Sequence, residues 1–327
     1  MKALILSWML IILFGTSVRA HHGVASLGVA GLEGPGSPIE TSSSTTLPEG
    51  ASLFYTKLDF ADFATFSSAR DNEGNYNAFW MNGAGYGLKS YLSFYLFVPF
   101  YSKTVEDNSY NTTGFADISI MAVLGFKYDQ GFLLSPANES LDDLMDWHFT
   151  SYAGLTIPTG DPNIRDVHGT IDPGMSLGFG RPSFTFGLTA TKQISNRLTW
   201  IGDTSYITFS EYEYDDRNKT QFGDELRLNI ALSIRLLVDQ EAKSRLDGVI
   251  ESNFLNLGRD ATNGIEETAT GGNIFYLVPG FRWYYKNFSF AAGVKLPELT
   301  DLNEEDLQQG AEGKENYRAI FTFSILL

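Results

Sequence analysis

The sequence predicts an all-β fold: a transmembrane antiparallel up-and-down β-barrel of about 12 strands, with long extracellular loops and short periplasmic turns. Three observations lead to this prediction. Segments of alternating polar and apolar residues recur along the chain, and a period of two places the two sets on opposite faces of a strand. These segments reach the roughly 9–11 residues that a tilted membrane-crossing strand needs. The connections between them alternate between short and long, so the long ones fall at one end of the barrel.

The alternation is clearest in residues 225–236. One face of this segment carries Glu225, Arg227 and Arg235, whereas the other carries only leucine and isoleucine. A helix would mix the two sets at every turn, so the pattern predicts a strand. Pro279 lies inside another such segment and suggests a β-bulge, because proline removes a ladder hydrogen bond. The predicted strands cover residues 52–61, 77–87, 91–102, 115–128, 147–158, 182–193, 197–210, 223–237, 245–257, 273–285, 288–297 and 316–327.

Loop lengths assign the two ends of the barrel. The predicted periplasmic turns are the short connections at residues 88–90, 194–196, 238–244 and 286–287. The predicted extracellular loops are the long connections at residues 62–76, 103–114, 159–181, 211–222, 258–272 and 298–315. One periplasmic connection, residues 129–146, is longer, and Ser140 followed by acidic residues predicts a short helix there. A secreted soluble sandwich would show the same period, but strand number, loop asymmetry and an export signal favour the membrane.

Residues 1–20 predict a signal peptide. Lys2 precedes an apolar run that is shorter than the roughly 20 residues of a membrane helix, and small residues lead to a cleavage site after Ala20. The mature chain then has 39 acidic and 21 basic residues, a net charge of −18. This charge argues against nucleic-acid binding, and the absence of cysteine excludes disulfides, thiolate metal sites and cysteine nucleophiles. We predict an exported protein of the outer membrane of a Gram-negative bacterium.

Residues 21–49 form a separate predicted region, a flexible segment rich in Gly, Ser, Thr and Pro. It is expected to lie in the periplasm or to fold back as a plug in the lumen of the barrel, which spans residues 50–327. His21 and His22 would stand at the new N-terminus, where copper or zinc could bind. Two adjacent histidines without a third ligand favour a plain exposed tail, so we expect no metal site and no cofactor.

Charged side chains within the strands are expected to face the lumen, because an Arg or Lys that faces lipid at mid-depth costs about 2–4 kcal/mol. Such residues either bind a passing solute or form ion pairs that only hold the barrel together. Arg227 and Arg235 on one strand are placed to pair with Asp247 and Glu251 on the next. The predicted lumen-lining residues are Lys57, Asp59, Tyr95, Asp117, Lys127, His148, Tyr152, Asp203, Glu225, Arg227, Arg235, Arg245, Asp247, Glu251, Arg282, Lys295 and Arg318.

Three glycine-containing stretches add a resemblance to these patterns. They are Gly114-Phe-Ala-Asp-Ile-Ser-Ile120, Gly154-Leu-Thr-Ile-Pro-Thr-Gly-Asp161 and Asp172-Pro-Gly-Met-Ser-Leu-Gly-Phe-Gly180. Together with residues 275–285 and 317–327, they resemble a family of outer-membrane β-barrel transporters named after the MetA pathway of phenol degradation. The resemblance covers residues 48–327, and it implies an outer-membrane barrel that passes small, often aromatic, molecules.

The sequence as a whole favours a monomeric channel for passive passage of small solutes, including aromatic or hydrophobic ones, and not an enzyme. An adhesion or structural barrel with acidic cation-binding loops and a plugged lumen is the alternative. A second alternative, an outer-membrane phospholipase, needs a lipid-facing Ser and His, and His148 and Ser151 pair only awkwardly along one strand. Residues 174–178 match G-x-S-x-G but lack the strand before it and the helix after it. The expected partners are outer-membrane lipid, lipopolysaccharide and a small-molecule solute, with no nucleic acid.

The long loops, together with Asp224 just after one of them, carry most of the net charge, with 23 acidic against 8 basic residues. The densest acidic loop contains Asp301, Glu304, Glu305 and Asp306. Three interpretations remain open for this rim. It binds divalent cations against lipopolysaccharide, it selects against anions, or it only keeps the loops solvated.

Replacement of Glu304, Glu305 and Asp306 by Asn tests the selectivity interpretation. Removing three negative charges from the mouth should shift ion selectivity away from cations, because a charged mouth concentrates counter-ions. The reversal potential across a planar bilayer under a salt gradient measures this shift. An unchanged reversal potential would mean that the rim does not select ions.

Overall fold

A computed structural model describes residues 38–65, 74–136, 145–304 and 314–327. These residues form 18 strands in chain order. The strands are β1 (Ser52–Phe63), β2 (Gly74–Lys89), β3 (Leu92–Val105), β4 (Thr112–Phe115), β5 (Ile118–Tyr128), β6 (Phe132–Leu134), β7 (Trp147–Ile157), β8 (Ser183–Ser195), β9 (Leu198–Thr208), β10 (Tyr212–Glu213), β11 (Lys219–Gln221), β12 (Glu225–Asp239), β13 (Ser244–Leu257), β14 (Ala261–Thr262), β15 (Ile265–Glu266), β16 (Gly272–Tyr285), β17 (Phe288–Leu302) and β18 (Glu315–Leu326).

The long strands pair antiparallel with their neighbours and close into a barrel of 12 strands. Closure joins β1 to β18, and β3 pairs with both β4 and β5, which are separated by Ala116 and Asp117. The short strands β10, β11, β14 and β15 form a separate four-stranded sheet built from two long loops. The predicted fold class, a closed antiparallel barrel, is therefore confirmed.

Both ends of the barrel sheet meet on the side of the short turns. The Ser52 amide donates to the Leu327 carbonyl at 2.9 Å, and the Leu327 amide donates to the Ser52 carbonyl at 2.7 Å. An even number of strands requires this arrangement, because each strand reverses the direction of the one before it. We refer to this side as the periplasmic end.

Each predicted segment corresponds to one barrel strand, and the differences lie mainly on the side of the long loops. There β2 begins at Gly74 and β17 continues to Leu302, because ladder pairing extends beyond the alternating region. In the long periplasmic connection, residues 132–134 form β6 against β5. The short helix predicted at Ser140 falls mostly on residues 137–144, which lie outside the described residues.

The predicted bulge at Pro279 is wrong. The register between β16 and β17 is the same on both sides of this proline, and the shift lies between Phe275 and Tyr276. Pro279 remains opposite Ile250 of β13 on its other side. The proline therefore interrupts pairing with β17 without adding a residue to the strand.

The outward face of the barrel is apolar. On β12, Leu228 and Ile230 are 46% and 52% exposed, whereas Arg227, on the inward face of the same strand, is only 9% exposed. This distribution is the inverse of a soluble protein, and it is stable where lipid covers the outer surface and all backbone groups are paired within the closed sheet. The fold and this surface identify an outer-membrane barrel. The described part of the chain contains no helix of the length and hydropathy required to cross a membrane.

The substitution Ile230→Arg tests the position of this surface. Ile230 lies near the middle of β12 on the outward face, so we expect a loss of about 2–4 kcal/mol in the free energy of unfolding. Denaturant titration of the protein folded into lipid vesicles measures the loss. Leu237→Arg is the control, because its position near the periplasmic turn should cost only about 0–1 kcal/mol. Equal losses would contradict this placement in the bilayer.

Candidate functional site

Residues 38–47, which we call the lumenal segment, lie inside the barrel. The chain passes from the start of β1 at the periplasmic end into the lumen, and Ile39 and Leu47 are only 3% and 2% exposed. All residues from Thr41 to Leu47 are buried. Part of the region expected to be flexible is thus held in the lumen, enclosed by the barrel wall.

The half of the lumenal segment nearest β1, residues 44–47, extends from β3 to β8. The Leu47 amide donates to Ser93 Oγ at 2.8 Å on β3. Ser44 then reaches β8, where its amide donates to Thr191 Oγ1 at 3.0 Å and its hydroxyl shares a 2.7 Å hydrogen bond with Thr189 Oγ1. The segment therefore contacts well-separated strands and bridges the lumen.

The second half is held by the carboxylate of Glu251, a buried residue near the middle of β13. Its oxygens accept hydrogen bonds from the amides of Ile39, Glu40 and Thr41, at 3.0 Å for Glu40 and 2.8 Å for Thr41. The Thr41 hydroxyl donates to the same carboxylate at 2.7 Å. Charge-assisted bonds of this kind are about twice as strong as neutral ones, so Glu251 is the main polar anchor.

A carboxylate of the segment itself is bound by two lysines of the wall. Glu40 forms ion pairs with Lys57 of β1 and with Lys295 of β17, the second at 3.1 Å. Both lysines lie near the middle of their strands, with side chains 2% and 10% exposed. The Lys295 ammonium also lies 4.4 Å from the ring centre of Tyr276.

The apolar anchor of the segment is Ile39. It packs in a cluster with Val249, Val278, Ala291 and Ile320 from four neighbouring strands. Gly280 and Gly293 lie opposite each other in the β16–β17 ladder, and a Cβ on either one would lie 3.0–3.2 Å from Ile39. The two glycines thus leave a socket in the wall that Ile39 fills.

A second element occupies the lumen from the opposite end. The loop of residues 159–181 folds inward, and its side chains Leu177 and Phe179 are buried. Asp117, between β4 and β5, accepts hydrogen bonds from the amides of Thr159 at 2.9 Å, Gly160 at 2.8 Å and Phe179 at 2.8 Å. Through these hydrogen bonds Asp117 ties both ends of the loop to the barrel wall.

Lys103 complements Asp117 from the neighbouring strand. Its buried ammonium donates to the carbonyls of Gly174 at 2.6 Å and Ser176 at 2.7 Å. The Ser176 hydroxyl donates to the Pro162 carbonyl at 2.6 Å, so this serine of the G-x-S-x-G match serves the loop conformation. One buried carboxylate and one buried ammonium therefore hold the loop through its backbone.

The family of this chain can be stated once this geometry is known. The sequence profile of one family matches residues 67–311. The chain belongs to the family described as "Putative MetA-pathway of phenol degradation". None of the curated protein sequences compared with it matches.

One solved structure shows the same fold, and a second is more distantly similar. The crystal structure of the COG4313 outer membrane channel from Pseudomonas putida F1 is similar with a TM-score of 0.63 and 13% sequence identity, covering 87% of this chain and 98% of that one. The NanC porin has a TM-score of 0.47 and 5% identity, covering 83% of this chain and 98% of its own.

The stretches that carry the resemblance to this family meet at the clasp formed by Asp117. Asp117 comes from the first stretch, Thr159 and Gly160 from the second, and Phe179 from the third. A Cβ on Gly178 would lie 2.5 Å from the Asp117 carboxylate, which only glycine avoids without rearrangement. Distant parts of the sequence therefore build one structural feature.

The predicted lumen residues lie on the buried face of their strands, apart from Asp117, which lies between strands. Arg235, Arg245, Lys127 and Arg318 are partly exposed to the lumen, and the remaining predicted residues are buried. Glu40 is not among the predicted lumen residues, because it belongs to the region predicted to be flexible. An acidic residue within an otherwise apolar and hydroxyl-rich run was the available signal.

The cross-strand ion pairs predicted between β12 and β13 are not the ones that the structure shows. Arg227 pairs with Glu225, and Arg245 pairs with Asp247 at 2.8 Å, in each case two residues along the same strand. Arg235 lies opposite Asp247 in register, but the Arg245 guanidinium binds that carboxylate. Glu251, the other predicted partner, binds the lumenal segment instead.

A polar chain links the wall to the lumenal segment. The Tyr152 hydroxyl donates to Asp203 at 2.8 Å, and Asn229 donates to the same carboxylate at 3.0 Å. Asn253 donates to Asn229 at 3.0 Å and to the Thr41 hydroxyl at 3.3 Å. Two predicted lumen residues, Tyr152 and Asp203, are therefore connected to the segment through side-chain amides.

The remaining predicted groups lie apart from this site. Asp301 and Glu304 are exposed at the rim, whereas Glu305 and Asp306 lie outside the described residues, as do His21 and His22. His148 faces the lumen and its Nδ1 lies 3.1 Å from the Asp146 carbonyl. Among the described residues, no group of three side chains is arranged to hold a metal ion.

The substitution Asp117→Ala should release the loop of residues 159–181. Three backbone amides lose their acceptor, and the buried one, at Phe179, costs about 1–3 kcal/mol if it stays unsatisfied. Trypsin should then cut faster at Arg165 or Arg181 in protein folded into vesicles. Asp107→Ala, which alters a carboxylate of another loop, is the matched control. Equal cleavage rates for the two variants would show that Asp117 does not hold the loop.

Proposed function

We propose that this protein is an outer-membrane channel for passive passage of small solutes, and that the lumenal segment is its gate. The observation that carries the proposal is the way the segment is bound. It lies in a polar lumen and is held mainly by hydrogen bonds and two ion pairs with the wall. In this structure the gate is closed.

The composition of the segment supports reversible binding. Residues 41–46 are all serine or threonine, whose hydrogen bonds to the wall can be exchanged for hydrogen bonds to water. The net stabilisation of such a bond is only about 0.5–1.5 kcal/mol. Pro38, Ile39 and Leu47 contribute the segment's buried apolar side chains. Withdrawal of the segment would leave a wall that is already polar and compatible with water.

The residues that line the lumen favour a solute with both polar and aromatic groups. Its wall combines buried charges of both signs with the tyrosines Tyr95, Tyr152 and Tyr276, which offer aromatic faces. A barrel of 12 strands is narrower than a porin of about 16 strands, so passage would be limited to small molecules. We propose small aromatic or moderately hydrophobic solutes as the cargo class.

A structural or adhesion barrel with a permanently plugged lumen is the second candidate. The same burial of residues 38–47 favours it, because a permanent plug would be bound as this segment is. An outer-membrane phospholipase is not proposed. His148 faces the lumen, whereas an enzyme acting on bilayer lipid needs its His and Ser at the lipid face.

Deletion of residues 21–47 separates a channel from a permanently closed barrel. Proteoliposomes that contain the deletion variant should swell faster than those with the full mature chain, because the deletion opens the lumen. Swelling in isosmotic solutions of a small sugar and a larger one measures the rate and its dependence on solute size. A gel-mobility shift on heating verifies that the variant is folded.

Gly293→Val provides a milder opening of the same gate. The valine side chain would enter the socket of Ile39 and displace it, so swelling should again exceed that of the unaltered protein. Gly248→Val is the matched control, since Gly248 faces outward and its Cβ would meet Leu236 on the lipid side. A folded deletion variant that does not swell would rule out the channel.

A further inference from the structure

The pair Ile39–Glu40 has the chemistry of a ligand bound to the barrel wall. The side chain of Ile39 is an apolar body in a socket, and the carboxylate of Glu40 is bound by two lysines. Both residues belong to the lumenal segment, which leads into the start of β1. The groups that bind them all belong to the wall.

The two lysines are directed at this carboxylate. Among the described residues, the ion pairs of Lys57 and Lys295 are with Glu40. Asp59, two residues along β1 from Lys57, forms its ion pair with Arg318 at 3.7 Å and interacts with the two lysines only at longer range. When the lumenal segment withdraws, Lys57 and Lys295 lose the anion between them, and the two ammonium groups then form a site for another anion.

The apolar socket lies beside the lysines on the same face of the wall. Gly293 of the socket and Lys295 are two residues apart on β17, which separates them by about 7 Å along the strand. Tyr276 adds an aromatic face in contact with the Lys295 ammonium. The wall thus combines a place for a carboxylate with a neighbouring place for an apolar or aromatic group.

We propose that this site binds a small organic carboxylate with an apolar or aromatic body, and that Ile39 and Glu40 occupy it when the solute is absent. This inference rests on the proposed channel function and names its substrate class and its regulation. A solute that occupies the site competes with the lumenal segment and so opens the gate. The site is then both a solute-binding site and the latch of the gate.

Competition gives this gate a defined direction of response. A ligand shifts an equilibrium between two states only if it binds one of them better. The solute and Glu40 cannot occupy the same lysines together, so the solute binds the open state alone. Opening should therefore rise with solute concentration and saturate.

The acidic rim does not prevent entry of a singly charged anion. Its charges lie on exposed loops, as for Asp301 and Glu304, and salt screens such charges beyond about 8 Å at physiological ionic strength. The lysines of the site are buried and are screened much less. The rim lowers the rate of entry, whereas the lysines determine binding.

Benzoate is the test probe, with benzyl alcohol as its uncharged analogue and acetate as a carboxylate without an apolar body. Currents through the full mature protein in a planar bilayer should increase with benzoate and saturate, with much smaller effects of benzyl alcohol and acetate. The same result with benzoate and benzyl alcohol would overturn the carboxylate site.

The variant Glu40→Gln removes the competing anion and keeps the size of the side chain. Its open probability without solute should exceed that of the unaltered protein by about tenfold, within the range of ordinary coupling between two sites. Benzoate should still raise the current of this variant, but by a smaller factor than in the unaltered protein, because fewer molecules of the variant are closed before benzoate is added. Glu49→Gln is the matched control, because Glu49 forms an exposed ion pair with Lys89 and should leave gating unchanged.

A second substitution identifies the binding groups. In the Glu40→Gln background, Lys295→Met should abolish the response of the current to benzoate, since one of the two ammonium groups is lost. Persistence of that response would overturn the assigned site. The variant lacking residues 21–47 distinguishes the two levels of inference. If the deletion variant conducts but benzoate has no effect on Glu40→Gln, the proposed binding site is wrong. If the deletion variant is folded and does not conduct, the proposed channel function is wrong.

Discussion

Closure of the sheet is the constraint on which the other features of this protein depend. A strand in a bilayer must pair its backbone groups on both sides, and only a closed sheet leaves no open edge there. Closure turns one face of every strand to lipid and the other to a shared interior. The apolar residues then cover the outside, and the charged residues from Lys57 to Arg318 are brought together inside.

The interior that results is rich in buried charge, and much of that charge is hydrogen-bonded or ion-paired by elements from outside the transmembrane strands. Glu251 is satisfied by backbone amides of the lumenal segment, and Lys57 and Lys295 by its one carboxylate. At the other end, Lys103 and Asp117 are satisfied by the backbone of a folded loop. The wall is therefore complementary to movable parts of the same chain, which is the physical basis for a gate.

The two closing elements differ in how firmly they are held. The loop of residues 159–181 is tied at both ends to the barrel, and a Cβ on Gly160 or Gly178 would clash with its surroundings. The lumenal segment is attached at one end to β1 and is bound by groups that a solute or water can replace. Movement is thus expected first in the lumenal segment, and the proposed latch at Glu40 would place the control of that movement inside the proposed solute path.

The sequence by itself determined the strands, their order and the face on which each charged residue lies, because an alternation of period two is a local property that any closed sheet preserves. It also marked the three glycine-containing stretches, but not that they meet at Asp117. Only the tertiary structure decided which charges pair, that Arg245 rather than Arg235 binds Asp247, and that Glu40 lies between Lys57 and Lys295. These contacts join residues far apart in the chain, and their choice depends on barrel register and on the path of the lumenal segment, which no local pattern specifies.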